Sequence, residues 1–305
     1  MKKDFDTVWE DTLKPALQSL EPKRKKMAAK SGFLMLGVFA LASAAIMSEL
    51  GVSAYYNLIP LFFIFVAIIG AYLNSTDYSK PYKQIVFSAL AEVSDLDWEY
   101  HKPDKKTRLT AKKAVSDSKL FQHAGRVSRG DTLTATMDGN QLGVYEVTVA
   151  PKWTVHQEKE ILFSGLLATV KVDTSFSAET FVITTADDVP VAKEAVESFQ
   201  PVELEWGEFE RFLSVFSTDQ SAVREIFTPD FMAILYDWWK HHDKRLRLAF
   251  VGSYIYIAIP AVENFEPEQF VSAPHQDSAI KDMFDFVKFI EDTVELVTKE
   301  NGKRL

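Results

Sequence analysis

The sequence predicts an α+β protein: a transmembrane helical hairpin, then a cytosolic domain with a mostly antiparallel sheet and a long C-terminal helix. Three observations lead there. Two almost uncharged apolar runs stand close together near the N-terminus. Segments alternating with a period of two follow from about Leu120, and an apolar stripe of helical spacing closes the chain.

The first apolar run, "SGFLMLGVFALASAAIMS" (Ser31–Ser48), has no charged residue. At 1.5 Å per residue it reaches about 27 Å, close to the hydrocarbon thickness of a bilayer. The second extends from Leu50 to Thr76 around "LIPLFFIFVAIIGAYL" (Leu58–Leu73), with Pro60 near its start, where a missing amide donor is tolerated. Tyr55, Tyr56 and Tyr72 fall where aromatic belts form. Membrane anchoring is expected from Phe33, Leu36, Phe39, Leu41, Ile46, Leu61, Phe62, Phe65, Ile68 and Ile69. A buried hairpin in a soluble protein is the alternative, but soluble helices keep a polar face.

"KRKKMAAK" (Lys23–Lys30) directly precedes the first run, and Lys23, Arg24, Lys25 and Lys26 are expected to meet lipid headgroups. Lys80 and Lys83 follow the second run, while the loop between the runs has no Lys or Arg. The positive-inside rule then puts both termini in the cytoplasm. "ALA" (Ala40–Ala42) looks like a signal cleavage site, but the preceding polar region of about thirty residues is too long for a signal peptide.

The organisation read from this is a cytosolic amphipathic helix over 1–30, the hairpin over 31–76 and one α+β domain over 77–305. Of the net charge of −9, residues 1–30 carry +3 and residues 31–76 carry −1, which leaves −11 on the last segment. An acidic domain argues against nucleic acid as a partner. The absence of cysteine excludes disulfides, thiolate metal sites and cysteine nucleophiles.

In the first segment Phe5, Trp9, Leu13, Leu17 and Leu20 lie at helical spacing, with Pro15 expected to interrupt the helix. The stripe suits packing on protein better than lying on lipid, because acids break up its polar face. After the membrane, "KPYKQIVFSALAEV" reads as a helix and the lysine-rich Lys102–Lys113 as mainly loop, a candidate contact for anionic lipid or an acidic partner. "DTLTATM", "QLGVYEVTVA", "ILFSGLLATVKVD" and "ETFVITT" read as strands, the first two joined by "DGN". A helix is expected over Val191–Ser198, a strand in "RFLSVFS" and a hairpin around Gly252–Ser253. The last helix, from Asp277 to about Lys299, repeats 3-4-3-4-3 through Ile280, Met283, Val287, Ile290, Val294 and Val297. Phe284, Phe286 and Phe289 widen that stripe beyond a coiled-coil seam, favouring core packing over an oligomer contact.

The polar stretch "SVFSTDQSAVREIFTPDFM" (Ser214–Met232) reads as helix punctuation. Thr218 or Asp219 caps one short helix; Thr228, Pro229 and Asp230 start the next. This stretch, within "ELEWGEFERFLSVFSTDQSAVREIFTPDFM" and with "GSYIYIAIP" after it, resembles the bacterial domain-of-unknown-function family 3137. "LQSLEPKRKK", "SKLF", Gly130–Asp131 and "ILFSGLLATVKVDTSFSAETFVIT" fit the same pattern, although "AVRE" departs from it. The resemblance implies a bacterial inner-membrane protein and supplies no catalytic residue.

No phosphate-cradling, nucleophile-elbow or zinc-protease motif is present. In "YDWWKHHD" (Tyr236–Asp243) only Asp237 and His241 share a helix face, too few for a metal site. No cofactor or metal is expected. Trp238 and Trp239, with Ile280, Val287 and Val294, are candidate partner contacts. The function expected is a membrane-anchored binding, scaffolding or assembly protein, not an enzyme, with the bilayer and either a second copy or another membrane protein as partners. The alternative is a membrane-tethered hydrolase or transferase using carboxylates such as Asp187, Asp219 and Asp243.

Overall fold

A computed structural model describes residues 4–49, 58–73, 77–94, 96–121, 124–137, 139–151, 161–173, 175–184, 199–242, 246–260 and 277–302. The chain forms two compact units, one of residues 3–89 and 266–277, the other chiefly of residues 90–265 and 278–305.

In the first unit, α1 (Phe5–Val8) and α2 (Lys14–Ser19) are joined by a wide π-turn over Trp9–Leu13. Pro15 explains the turn. It has no N–H to give to the carbonyl four residues back, and its ring crowds that carbonyl, so the helix widens there instead of breaking. Val8, Trp9, Leu13, Leu17 and Leu20 are buried, so this stripe packs in protein.

Helix α3 (Glu21–Glu49) takes in both the basic run and the first apolar run. The boundary expected at residue 30 is therefore no break in the backbone. At 29 residues, α3 spans about 43 Å and is long and apolar enough to cross a membrane. Helix α4 (Leu58–Leu73) is apolar but has 16 residues, fewer than the ~20 of a full span.

The two helices pack antiparallel through small residues. A Cβ on Gly37 would lie 3.3 Å from the Cβ of Ala67, and one on Gly70 would lie 2.3 Å from the Phe33 ring. Ala40, Ala67 and Ala71 are buried there, while Leu34, Phe39, Leu41, Ile46, Leu61, Phe62, Phe65, Ile68 and Ile69 are exposed. Phe33 and Leu36 are partly exposed, and the Phe33 ring lies on the Gly70 backbone. Helix α5 (Ser79–Ser94) follows, as its sequence predicts.

Among the described residues, the second unit is built on a nine-stranded, fully antiparallel sheet in the order β1-β2-β3-β4-β9-β8-β5-β7-β6. The strands are β1 (Glu99–His101), β2 (Ala124–Met137), β3 (Asn140–Pro151), β4 (Phe163–Lys171), β5 (Thr180–Thr184), β6 (Gln200–Pro201), β7 (Leu213–Ser217), β8 (Arg247–Val251) and β9 (Tyr254–Pro260). Gly139 and Gly252, at φ +83° and +59°, take the left-handed positions of the β2–β3 and β8–β9 turns.

Helix α6 (Lys105–Asp117) replaces the loop expected over Lys102–Lys113. A reciprocal capping box starts it: Thr107 N–H donates to Asp104 Oδ1 at 2.7 Å, and Asp104 N–H donates to Thr107 Oγ1 at 2.9 Å. Ala111, Ala114 and Val115 then pack with Tyr145, Val147, Leu167, Phe181 and Ala258 on one sheet face. Paired lysines such as Lys105–Lys106 and Lys112–Lys113 give a loop and the outer side of a helix the same composition, so composition alone does not tell the two apart.

The expected strand "RFLSVFS" is half helix. Its first two residues end α7 (Gly207–Phe212), and the rest is β7. Helices α8 (Gln220–Ile226) and α9 (Pro229–His242) start where the sequence placed them. Asp219 Oδ1 accepts from Ser221 N–H at 2.8 Å, and Thr228 Oγ1 from Phe231 N–H at 3.3 Å. Phe231 meets Phe250 edge-on at 6.1 Å, fixing α9 to the sheet face opposite α6. Helix α10 (Asp277–Gly302) docks on α9, with Trp238 4.7 Å from the Phe289 ring and stacked 3.9 Å from His242. Ile280, Val287, Val294 and Trp238 are buried within the chain, so they are core residues and not the partner surface expected of them. Trp239 is half-buried and stacks on Phe212 at 3.8 Å. The helix expected at Val191–Ser198 lies outside the described residues.

Phe250 is fully buried and touches Phe176, Phe227 and Phe231. Phe250→Ala should destabilise the domain by about 3–5 kcal/mol, and Asp219→Ala by about 1 kcal/mol. Urea unfolding of the detergent-solubilised chain followed by tryptophan fluorescence checks both.

Candidate functional site: a polar groove under helix α6

The sheet face carrying α6 is covered only in part. Beside the helix lies a cavity of about 710 Å³, open to solvent, bounded by α6, β1 and the ends of β2, β3, β4 and β9. Two cross-strand rows form its floor. Thr134 pairs with Gly143, Gly143 with Thr169 and Thr169 with Tyr256, so these four lie side by side across four strands. In the next row Thr136 pairs with Gln141, and Lys171 with Tyr254. Strand pairing thus presents hydroxyls, an amide and an ammonium from residues over 100 positions apart on one surface.

Tyr145 closes one end. Its hydroxyl stands where a Cβ on Gly143 would be, 2.6 Å away, so glycine is required there. Burial raises the Tyr145 phenol above its ordinary range, and a hydrogen bond with the Thr169 hydroxyl offsets part of the rise. Thr169 Oγ1 also donates to the Gly143 carbonyl at 3.5 Å. Burial pushes the Tyr256 phenol further up, and the charge of Asp117 on α6 acts in the same direction. Both phenols therefore stay neutral donors.

The rim carries charges of both signs, with one more carboxylate than ammonium group. Asp97, Glu99 and Asp117 supply carboxylates; Lys113 and Lys171 supply ammonium groups. Strand β1, which carries Glu99, is pinned at a bulge in β2. Tyr100 donates to Asp131 Oδ1 at 2.7 Å, and Asp131 N–H donates to Glu146 Oε2 at 3.0 Å. Gly130 makes room for that carboxylate, because a Cβ there would fall 1.8 Å from Glu146 Oε2. His101 Nε2 shares a 2.7 Å hydrogen bond with Thr134 Oγ1, and Trp98 donates to Ser94 Oγ at 2.9 Å. Gly130–Asp131, noted in the sequence, thus holds one wall of the groove in place.

The residues singled out in the sequence fall elsewhere. Asp219 is occupied as a helix cap, while Asp187 and Asp243 lie outside the described residues. The His241 ring bonds the Asp237 backbone carbonyl at 2.8 Å instead of sharing a ligand with the Asp237 side chain. Among the described residues no three His, Asp or Glu side chains stand close enough to hold a metal. Arg24 is held by Glu21 at 2.7 Å and 2.8 Å, while Lys23, Lys25 and Lys26 are exposed. The groove was missed because alternating Thr and Tyr, as in "TLTATM" and "YIYIA", mark any half-solvated strand; only the tertiary arrangement shows that α6 roofs them.

Residues 161–298 match the family model described as "Protein of unknown function (DUF3137)". The resemblance read from the sequence holds there, over a narrower stretch than the quoted motifs cover. The DUF3137 segment supplies β4 and β9 of the groove floor, whereas α6, β1, β2 and β3 precede it. No curated protein matches the chain in sequence. Among solved structures, a likeness at 10% identity and a TM-score of 0.40 covers 70% of this chain and 96% of the "mycobacterial trehalose monomycolate transport factor A, TtfA". That likeness is too slight to carry an argument about fold or function.

Because the native state holds the Tyr256 proton above pH 10.0, where a free phenol releases it, stability is intact below that pH and falls as pH rises through and beyond it. Tyr256→Phe should make the alkaline loss of stability shallower, measured by thermal unfolding across the alkaline range.

Proposed function

We propose that this protein is a membrane-anchored binding module, with the α3–α4 hairpin in the bacterial cytoplasmic membrane and the α+β domain in the cytosol. One observation supports it above all: the hairpin is packed with its small residues inside and its large ones outside. Gly37, Ala40, Ala67, Gly70 and Ala71 meet between the helices, while Phe39 and Phe62 are 73% and 62% exposed. In water this arrangement would leave the favourable burial of the large side chains unused. In lipid it is the ordinary way for helices to associate, since tight backbone contact drives packing when the solvent is as apolar as leucine.

The exposed Lys23, Lys25 and Lys26 at the start of α3 support an anionic cytoplasmic headgroup layer at that end and both termini on that side. The bilayer is the first partner. A second copy or another membrane protein is the natural occupant of the remaining surface, and the acidic domain does not suit nucleic acid. Binding, scaffolding or assembly is favoured over catalysis because the described cluster of titratable groups is a rim of solvated charges around hydroxyls.

Alkaline carbonate washing of membranes should leave the chain in the pellet, and reporters fused to either terminus should both read cytoplasmic. Phe65→Asp, a charge near the centre of α4, should cost about 2.5–3.5 kcal/mol of insertion and raise the washed-out fraction. Recovery of the unaltered chain in the aqueous wash would overturn the anchoring.

A further inference from the structure

We propose that the groove under α6 is a binding site for a neutral polyhydroxylated ligand of the oligosaccharide type. This rests on reading the chain as a binding module and names what the module takes.

Five features converge. The cavity of about 710 Å³ falls within the ~300–1,000 Å³ of small-molecule sites. Its floor groups, Thr134, Thr169, Tyr145 and Tyr256, are hydroxyls that both donate and accept, and Gln141 adds an amide of both kinds. Thr134, Thr169 and Tyr145 already bond within the domain, through His101, the Gly143 carbonyl and each other. The hydrogen-bonding capacity their oxygens keep would go unused against an acyl chain, whereas a ligand bearing hydroxyls can use it.

The rim carries both signs. Asp97, Glu99 and Asp117 outnumber Lys113 and Lys171, so a phosphate-rich ligand is disfavoured. Vicinal hydroxyls suit this mixed rim, since they donate to carboxylates and accept from ammonium groups.

The floor is also a sheet face, and on its inner strands β3, β4 and β9 the backbone ladder is satisfied on both sides. An extended peptide takes its affinity from a sheet edge, and across these three strands the floor gives it no backbone partner. Finally, Tyr254 and Tyr256 project from alternate positions of β9 with rings 5.8 Å apart and 26° from parallel. Tyr254 is 38% exposed at the mouth, giving a flat apolar surface with polar tips on which the C–H face of a sugar ring can lie.

The test is saturation-transfer-difference NMR on the full chain in a zwitterionic, sugar-free detergent, with maltose and cellobiose as probes and tetra-alanine and inorganic phosphate as competing classes. Ring-proton signals from a disaccharide are expected, weakened about tenfold or more by Tyr254→Ala and by Asp117→Asn, two groove-mouth changes that leave the core untouched. Unchanged signals in both variants would overturn the assignment. So would silence from both sugars, with or without a response to phosphate or peptide. Carbonate washing reports separately on anchoring, so failure of the sugar arm and failure of the membrane arm are told apart.

Discussion

The ladder between β4 and β9 is the constraint on which the second unit depends. It joins Gly165–Lys171 to Tyr254–Pro260 in the middle of the sheet, tying the meander β1–β4 to the strands β8, β5, β7 and β6. Each paired position sets two faces at once, because side chains alternate along a strand. Leu166, Ala168 and Val170 with Ile255, Ile257 and Ile259 then point to one side and are buried. Leu167, Thr169 and Lys171 with Tyr254, Tyr256 and Ala258 point to the other. A slip of one residue would bury the lysine and the tyrosine hydroxyls and expose the isoleucines, so the apolar face enforces the register that builds the groove.

The two faces are covered differently. The isoleucine face receives α9 through a cluster of phenylalanines around Phe250, and α10 locks onto α9 through Trp238. The opposite face receives the shorter α6, whose alanines approach closely over Tyr145 and Leu167 and leave the strand ends beyond it open. A helix of 13 residues reaches about 20 Å, less than the breadth of the strands beneath it. The groove is what remains.

In the bilayer proposed for it, the hairpin obeys a different solvent rule. In the domain, large apolar groups are inside because water excludes them. Between α3 and α4 the inside is glycine and alanine, and the Phe33 ring is admitted only because Gly70 has no side chain. The same physics of close packing serves both units, with the hydrophobic driving force acting in one and absent between the helices of the other.

Local patterns were enough to place most elements. Period-two alternation found β2, β3, β4, β5 and β9, and helix caps such as Asp219 and Thr228 announced α8 and α9 because capping depends on residues within a turn of each other. The wide aromatic stripe correctly placed α10 in the core. The sequence did not reveal that Lys105–Asp117 closes into a helix over the sheet, that Phe33 turns inward, or that Trp238 and the Ile280 stripe bury each other's neighbours. Composition, charge asymmetry and the two apolar runs determined by themselves that this is an α+β chain with a lipid-seeking segment, since burial and capping are decided within a few residues. Only the tertiary structure brought Asp97, Lys113, Thr169 and Tyr254 to one groove, because antiparallel pairing joins positions whose separation along the chain carries no local signal.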